Sequence, residues 1–547
     1  MLDMIFKGGP IVTMVEGAMS VEAVGVLDGK IVKVGSVEEV EAFVGPRTEI
    51  IDLDGATLLP GFVEAHGHPL FSALIWGEPV VDIRAVHTPT YEAAIAKISR
   101  RVAKAAPGEF VMAVGLDPTL HQGMVEPTRD FLDTLAPNNP LAVTLFNFHG
   151  IYLNSAAVAA CGYENGAPGH LDTEIIRDSN GRPWKFREEM AKRVRNAFYE
   201  SCGKERAVRE LKEWLGKFAS AGYTTSAEIG MFPQWSGYFD ALRKEYQFPI
   251  RMRLYEQVFA DTPIIAQVGE GDEFFKAIGT KLWADGSLFV GNVAMTRPYL
   301  TTDMTITRMG MPEANRGNLN YSRERLKMLM VKAISAGWQL SVHTQGDETV
   351  DTVLDVYEEI FTEYSKVNGP YRLEHCSMMR PDQAERAHKL GLVCSFFNTI
   401  AYYWGDALRD DMFGPERADA VLPFGTAVRA GMRVSFHNDA PMTWPNPLLS
   451  VQFGVTRTTQ KGTVLGEEEC LTVEQALRAV TINAAYHLQM EDLVGSIAVG
   501  KAADFVVLAG NPLTHPAGKI SEIGVLRTYV AGAEKWNAEK VVVTADA

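Results

Sequence analysis

The chain has 547 residues, of which 46% are hydrophobic and 22% charged, with a formal net charge of −16. That composition belongs to a globular protein and not to a disordered one. The acidic balance argues against nucleic-acid binding, which needs a basic face, and it disfavours docking on anionic membranes.

Residues 1–57 read as short strands with glycine turns: Ile5–Lys7, Ile11–Met14, Ala23–Leu27 and Ile31–Val34, with Asp28-Gly29 as a hairpin turn between the last two. The N-terminus carries Asp3 and no basic segment ahead of a long apolar stretch, so no secretory signal is read there. The far end has the same texture, with strands at Asp504–Leu508 and Val525–Val530 among Gly500, Gly510 and Gly532. Neither end has enough apolar surface to fold alone, so the two are expected to combine.

Between them, strands alternate with helices. Strands are expected at Leu58–His66, Gly222–Glu228, Ile250–Val258, Ile278–Asp285, Trp338–His343, Tyr371–Cys376, Leu392–Phe397 and Met432–Asp439. Helices fall at Arg206–Ser220, Trp235–Lys244, Ser322–Ala336, Asp347–Tyr364, Pro381–Leu390 and Pro415–Ala430, several of them closed by a glycine. Strands apolar almost throughout, alternating with helices, predict a parallel sheet closed into a (β/α)8 TIM barrel. The gap between the first strand and Gly222 is far too long for an ordinary βα connection. Its own strands (Phe110–Gly115, Leu141–Phe148) and helices (Tyr91–Ala105, Asn154–Ala160) mark an inserted α/β subdomain over the barrel mouth. The expected organisation is a composite β-sandwich domain from residues 1–57 and 490–547, a barrel from 58–69 and 205–489, and an insertion at 70–204.

Cys161, Cys202, Cys376, Cys394 and Cys470 are scattered and never spaced C-x-x-C, against a disulfide framework or a cysteine zinc ribbon. The apolar stretch from Gly391 to Trp404 is short and contains Asn398, so it is not read as a membrane span. The expected location is the cytoplasm.

The chemistry gathers at the strand ends. The first ends His66-Gly67-His68, and residues i and i+2 on a strand share a face, so both imidazoles can reach one metal. His343, His375 and His437-Asn438-Asp439 close the fifth, sixth and eighth strands. In a barrel these ends converge on one cavity, and imidazoles with carboxylates suit zinc and related divalent ions. Lys281 lies among apolar neighbours on the fourth strand. Burial and nearby cations favour its neutral amine, which can take up carbon dioxide to give a carbamate able to bridge two ions; the alternative is pairing with Asp285 or Glu228.

The segments Leu59-Pro60-Gly61-Phe62, His66-Gly67-His68, Lys281 with Asp285-Gly286-Ser287, His343 with Gly346-Asp347, Glu374-His375, Asp439-Ala440-Pro441 and Gly495-Ser496-Ile497 resemble the amidohydrolase superfamily. More narrowly they resemble its YtcJ-like branch, which includes N-substituted formamide deformylases. The resemblance implies a metal-dependent hydrolase with His66 and His68 on a first ion, His343 and His375 on a second, and carbamylated Lys281 between them. It also implies that Asp439 binds the first ion and acts on the attacking water, and that the protein is a homodimer. Three departures stand out: Glu64 replaces the usual aspartate, His437-Asn438 replaces the commoner Gly-Ser, and Leu288-Phe289 follows Ser287 where a small glycine is common.

The expected function is hydrolysis of a carbon–nitrogen bond in an amide-like small molecule, with one or two divalent ions, zinc favoured. Asp439 and Lys281 are the catalytic candidates, and His149, Glu228, Phe289, Trp404 and His437 the substrate-binding ones. Asp117 and His121 are placed at the entrance. Trp76, Phe289, Tyr402, Tyr403, Trp404 and Trp444 fall on mouth loops and point to an apolar or aromatic substrate group, unless they pack the insertion onto the barrel. The alternatives are deamination, ester hydrolysis or decarboxylation on the same scaffold, or a non-catalytic binding protein. Glycoside hydrolysis by Glu228 and Asp439 fits the histidines poorly.

Overall fold

The computed structural model describes residues 1–75, 79–86, 88–245, 248–260, 262–364 and 369–540, apart from the side chains of residues 170 and 234. Trp76 lies outside them. Eight parallel strands form the central sheet: β1 (Phe62–Glu64), β2 (Tyr223–Met231), β3 (Arg251–Gln257), β4 (Phe275–Trp283), β5 (Gln339–Thr344), β6 (Arg372–His375), β7 (Val393–Phe396) and β8 (Val434–Phe436). Each pairs with the next in sequence, the order of a barrel. Side chains as well as backbone join β8 to β1. Glu64 accepts from the Asn438 backbone N–H at 2.8 Å and from Asn438 Nδ2 at 3.0 Å, while the His68 N–H donates to the Ala440 carbonyl at 2.9 Å. The longer Glu64 side chain therefore acts as a clasp across this seam.

The expected strand Leu58–His66 divides at Pro60-Gly61. Residues Thr57–Pro60 pair antiparallel with Phe505–Leu508 in a terminal sheet, and the chain then enters the barrel at Phe62. Gly61 permits the crossing: a Cβ there would meet Thr224 Cγ2 at 2.1 Å. The terminal sheet has six strands, including Ile11–Val12 from the start of the chain and Val525–Val530 from its end. It shares a core with a four-stranded sheet containing Met4–Lys7, where the Phe6 ring meets Phe505 and Tyr529 edge-on, each at 5.1 Å. A buried pairing of Arg251 with Asp504, at 2.8 and 3.1 Å, ties β3 to this terminal region.

Helices Lys204–Ser220, Ser236–Glu245, Arg323–Ser335, Asp347–Glu363 and Pro381–Lys389 cover the barrel. The single helix expected over Pro415–Ala430 is instead two, Pro415–Asp419 and Phe424–Arg429. Pro423 lacks an N–H and Leu422 sits in left-handed backbone, so the helix cannot run through. Residues between β1 and Lys204 include a six-stranded sheet and a further helix, Glu188–Ser201, beyond the two expected there. No helix among the described residues is long and apolar enough to cross a membrane.

Candidate metal centre and substrate cavity

The ends of β1, β4, β5, β6 and β8 bring His66, His68, Lys281, His343, His375 and Asp439 to one place. Asp439 Oδ1 lies 3.4 Å from His66 Nε2 and 3.3 Å from His68 Nε2, and the three form a group of potential ligands. His66, His375 and His437 form a second. The His343 ring lies 4.3 Å from that of His375. Neither three-residue group includes His343, so the pairing expected for a second ion is present only as adjacent rings. Both His375 and Asp439 occupy left-handed backbone, with φ of 71° and 50°. Such strain in non-glycine residues clusters at functional sites.

Hydrogen bonds determine which imidazole nitrogens carry lone pairs. Burial opposes the charge on Glu374, yet Arg372 and Lys281 hold its carboxyl down to about 2, so it is ionised and only accepts. Its Oε2 lies 2.6 Å from His66 Nδ1, which must donate. His66 Nε2 is then a bare lone pair facing the Asp439 carboxylate. Two acceptors 3.4 Å apart repel unless a positive charge lies between them, and Asp439 Oδ1 is buried without a hydrogen-bond partner. His343 Nε2 lies 2.8 Å from the Gly286 carbonyl oxygen, so it donates there and leaves Nδ1 free. Burial, reinforced by Lys281 and neighbouring imidazoles, keeps His66, His343, His375 and His437 well below the usual histidine range, in the neutral form a metal ligand needs.

Lys281 is fully buried and its Nζ has no hydrogen-bond partner. Burial lowers its pKa to about 8, against the pull of Glu374 and Asp439, so about a tenth of the amine is neutral at pH 7, far more than for an ordinary lysine. An unpartnered buried amine, an unpartnered carboxylate oxygen and bare imidazole nitrogens in one spot fit a divalent cation. A core packed for structure alone would have satisfied them.

A cavity of about 130 Å³ adjoins this cluster. His66, His68, His343, His375, Asp439, His149 and Glu228 line it. His149 Nδ1 is 2.9 Å from Glu188 Oε2, which leaves its other nitrogen available to a ligand. Burial raises Glu228 to about 8, against the Leu70 N–H that it accepts at 2.7 Å, so at neutral pH it is mostly a neutral acid.

Three expected substrate residues do not line this cavity. His437 is buried behind the histidine cluster, stacked on His66 at 4.4 Å, with Nδ1 bound to Ser395 Oγ at 2.8 Å. Its position in the chain turns the ring into the barrel, so it belongs with the potential ligands. Phe289 and Trp404 instead pack the insertion onto the barrel, around Phe146 at 5.2 and 4.9 Å. The Trp404 indole also donates to Asp117 Oδ2 at 2.7 Å. His121 is buried within the insertion, hydrogen-bonded to Asp117 and Ile83, rather than at the entrance. Tyr402 and Tyr403 pack on each other, and Trp444 packs on Trp214.

The residues not anticipated come chiefly from helix Glu188–Ser201, which places Lys192, Arg195 and Asn196 at the cavity, and from the ends of β3 and β4, which add Gln257 and Trp283. The spacing Met190, Ala191, Val194, Phe198 and Tyr199 is an apolar helical stripe that could have revealed the helix. Nothing local in it shows where the intervening cations point.

The sequence profile of the amidohydrolase family matches residues 49–534. N-substituted formamide deformylase of Arthrobacter pascens is 27% identical, with 94% of this chain and 95% of that protein aligned. The YtcJ protein of Bacillus subtilis is 25% identical over 96% of this chain and 98% of its own. A structure described as an uncharacterized metal-dependent hydrolase from Pyrococcus horikoshii superposes with a TM-score of 0.71 at 22% identity, covering 94% of this chain and 99% of that one.

Proposed function

We propose that this chain, which belongs to the amidohydrolase family and is a hydrolase, cleaves a non-peptide carbon–nitrogen bond of an amide-like small molecule. The observation that carries the reading is the bare His66 Nε2 facing the unpartnered Asp439 Oδ1 at 3.4 Å, a geometry that calls for a cation. His66, His68 and Asp439 would hold a first divalent ion, with zinc favoured by the nitrogen and oxygen donors. His343, His375 and Lys281 are available for a second. When bound, a divalent ion supplies Lewis acidity towards a carbonyl and lowers the pKa of a bound water from 15.7 to about 7.

The chain's own groups do the rest. Glu374 fixes the His66 tautomer and ring orientation. Asp439 takes a proton from the attacking water and returns it to the leaving nitrogen, acting as base and then acid. The neutral Lys281 amine adds to carbon dioxide, forming an N–C bond and releasing one proton, and the resulting carbamate offers two oxygens that share one negative charge. Glu228, as a neutral acid, and His149, held by Glu188, offer hydrogen bonds to the substrate. The kinship with a protein named N-substituted formamide deformylase supports a substrate of the amide class.

The test is turnover of an amide panel by zinc-loaded protein, with product analysis and metal titration. Release of an amine with a carboxylic acid, lost on chelation and restored by zinc, is expected. Ammonia without acid, carbon dioxide release, or cleavage of esters alone would replace this reading with one of the other reactions. Turnover indifferent to chelation would end it.

A further inference from the structure

Arg195 is 4% exposed, yet it lines the cavity. Its Nη1 donates to the Phe148 carbonyl at 2.6 Å, and the guanidinium lies over the rings of Phe71 and Phe148 at 5.7 and 5.8 Å. The buried Nε has no hydrogen-bond partner, and among the described residues no carboxylate forms an ion pair with Arg195. Burial lowers its pKa to about 10, with Tyr199, Glu188 and Glu189 opposing, so the group remains a cation at neutral pH. A buried charge with no carboxylate in ion-pair contact is costly, and perturbed charges of this kind cluster at functional sites.

One turn earlier on the same helix, Lys192 lines the same cavity, with Nζ 4.4 Å over the Trp283 ring. Spacing of three residues puts the two cations on one helix face. Arg193, between them, points away and pairs with Glu189 at 3.2 Å. Across the cavity stand Asp439 and Glu228.

We infer that the substrate carries a carboxylate, seated on the Arg195 guanidinium and neutralised further by Lys192, while its scissile amide faces Asp439 and the imidazoles. A guanidinium edge matches the two oxygens of a carboxylate, which gives strength and orientation together. The inference names the substrate class of the carbon–nitrogen hydrolase proposed above and rests on that reading for the position of the scissile bond. The anion site itself stands on Arg195.

The experiment uses zinc-loaded full-length protein and two isosteric pairs. One is N-benzoylglycine with N-benzoylglycinamide, carrying the charge on the amine side. The other is succinanilic acid with its primary amide, carrying it on the acyl side. Binding is read by calorimetry and turnover by amine release. In at least one pair the anion should be preferred by roughly tenfold or more. Arg195→Gln should collapse that ratio towards one, Arg195→Lys should keep part of it, and Lys192→Gln should reduce it severalfold. Equal binding of both members of both pairs overturns the proposal, as does an Arg195→Gln protein that keeps the ratio. If Arg195→Gln does not fold, the wild-type ratio and Lys192→Gln decide. If nothing is hydrolysed, the reaction class fails, and the calorimetric ratios still judge the anion site.

Discussion

The Glu374 carboxylate lies 2.6 Å from His66 Nδ1, so the proton on this imidazole is on the side away from the cavity. Glu374 is itself held by Ser341 Oγ at 2.8 Å and by Arg372, whose Nη2 donates at 3.2 Å. Glu374→Gln removes the anion that specifies the tautomer and leaves Arg372 buried without its counter-ion. Zinc affinity should fall about 10–100-fold. The metal-free fold should lose about 3–5 kcal/mol, as expected for breaking a buried pair from one side. Competition with a chromophoric chelator reads the first effect and denaturant unfolding the second.

Asp439→Asn keeps the shape of the side chain but cannot take a proton from water. Turnover should drop by about 10²–10⁴ if the carboxylate is the proton carrier. A substrate analogue should bind the zinc-loaded variant with little change. A variant that retains wild-type kcat when fully metal-loaded would remove Asp439 from proton transfer.

His487 is buried and neutral, with Nε2 3.0 Å from the Arg433 carbonyl and Nδ1 2.9 Å from Ser435 Oγ. Burial, aided by Arg372, lowers its pKa from 6.5 to about 3. Above the ordinary value neither the folded nor the unfolded chain binds a proton at this ring, and stability is independent of its titration. As pH falls below 6.5 only the unfolded chain protonates, so stability is lost, by about 1.4 kcal/mol per pH unit, until the folded ring titrates near 3. His487→Gln should therefore subtract close to one proton from the acid slope of unfolding free energy between about pH 5.5 and 4. An unchanged slope would show that the ring is already charged in the fold.

Trp404 joins the barrel to the insertion through its stack on Phe146, at 4.9 Å and 18°, and its hydrogen bond to Asp117. Trp404→Phe removes the hydrogen bond and part of the packed ring and should cost about 1–2 kcal/mol, with Asp117 still bonded to Thr119. Trp404→Ala also empties the packed site and should cost about 3–5 kcal/mol. Since the ring does not line the cavity, binding of substrate analogues to the folded Trp404→Phe protein should follow wild type. A selective loss of affinity in that variant would put the indole back in the substrate site.

The strand ends were legible in the amino-acid sequence because their signals are local. Apolar runs between helical stretches mark the barrel, and the two-residue alternation of a strand puts His66 and His68 on one face. Residue type alone marked Lys281, His343, His375 and Asp439 as unusual at such ends, and the family resemblance rests on the same segments. Their partners were not legible. His66 and Glu374 are 308 positions apart, and only closure of the barrel shows which nitrogen each imidazole leaves bare. His437 looked like a group facing substrate, but the turn of the chain after β8 sends it inward against His66. Phe289 and Trp404 looked like a substrate wall, but docking of the insertion consumes them as packing. Arg195 and Lys192 carry no local signal, since cations on an amphipathic helix are ordinarily solvated. Chain spacing specifies which residues share a face of one element; which face meets the cavity depends on how the insertion seats on the barrel, a relation no local pattern encodes.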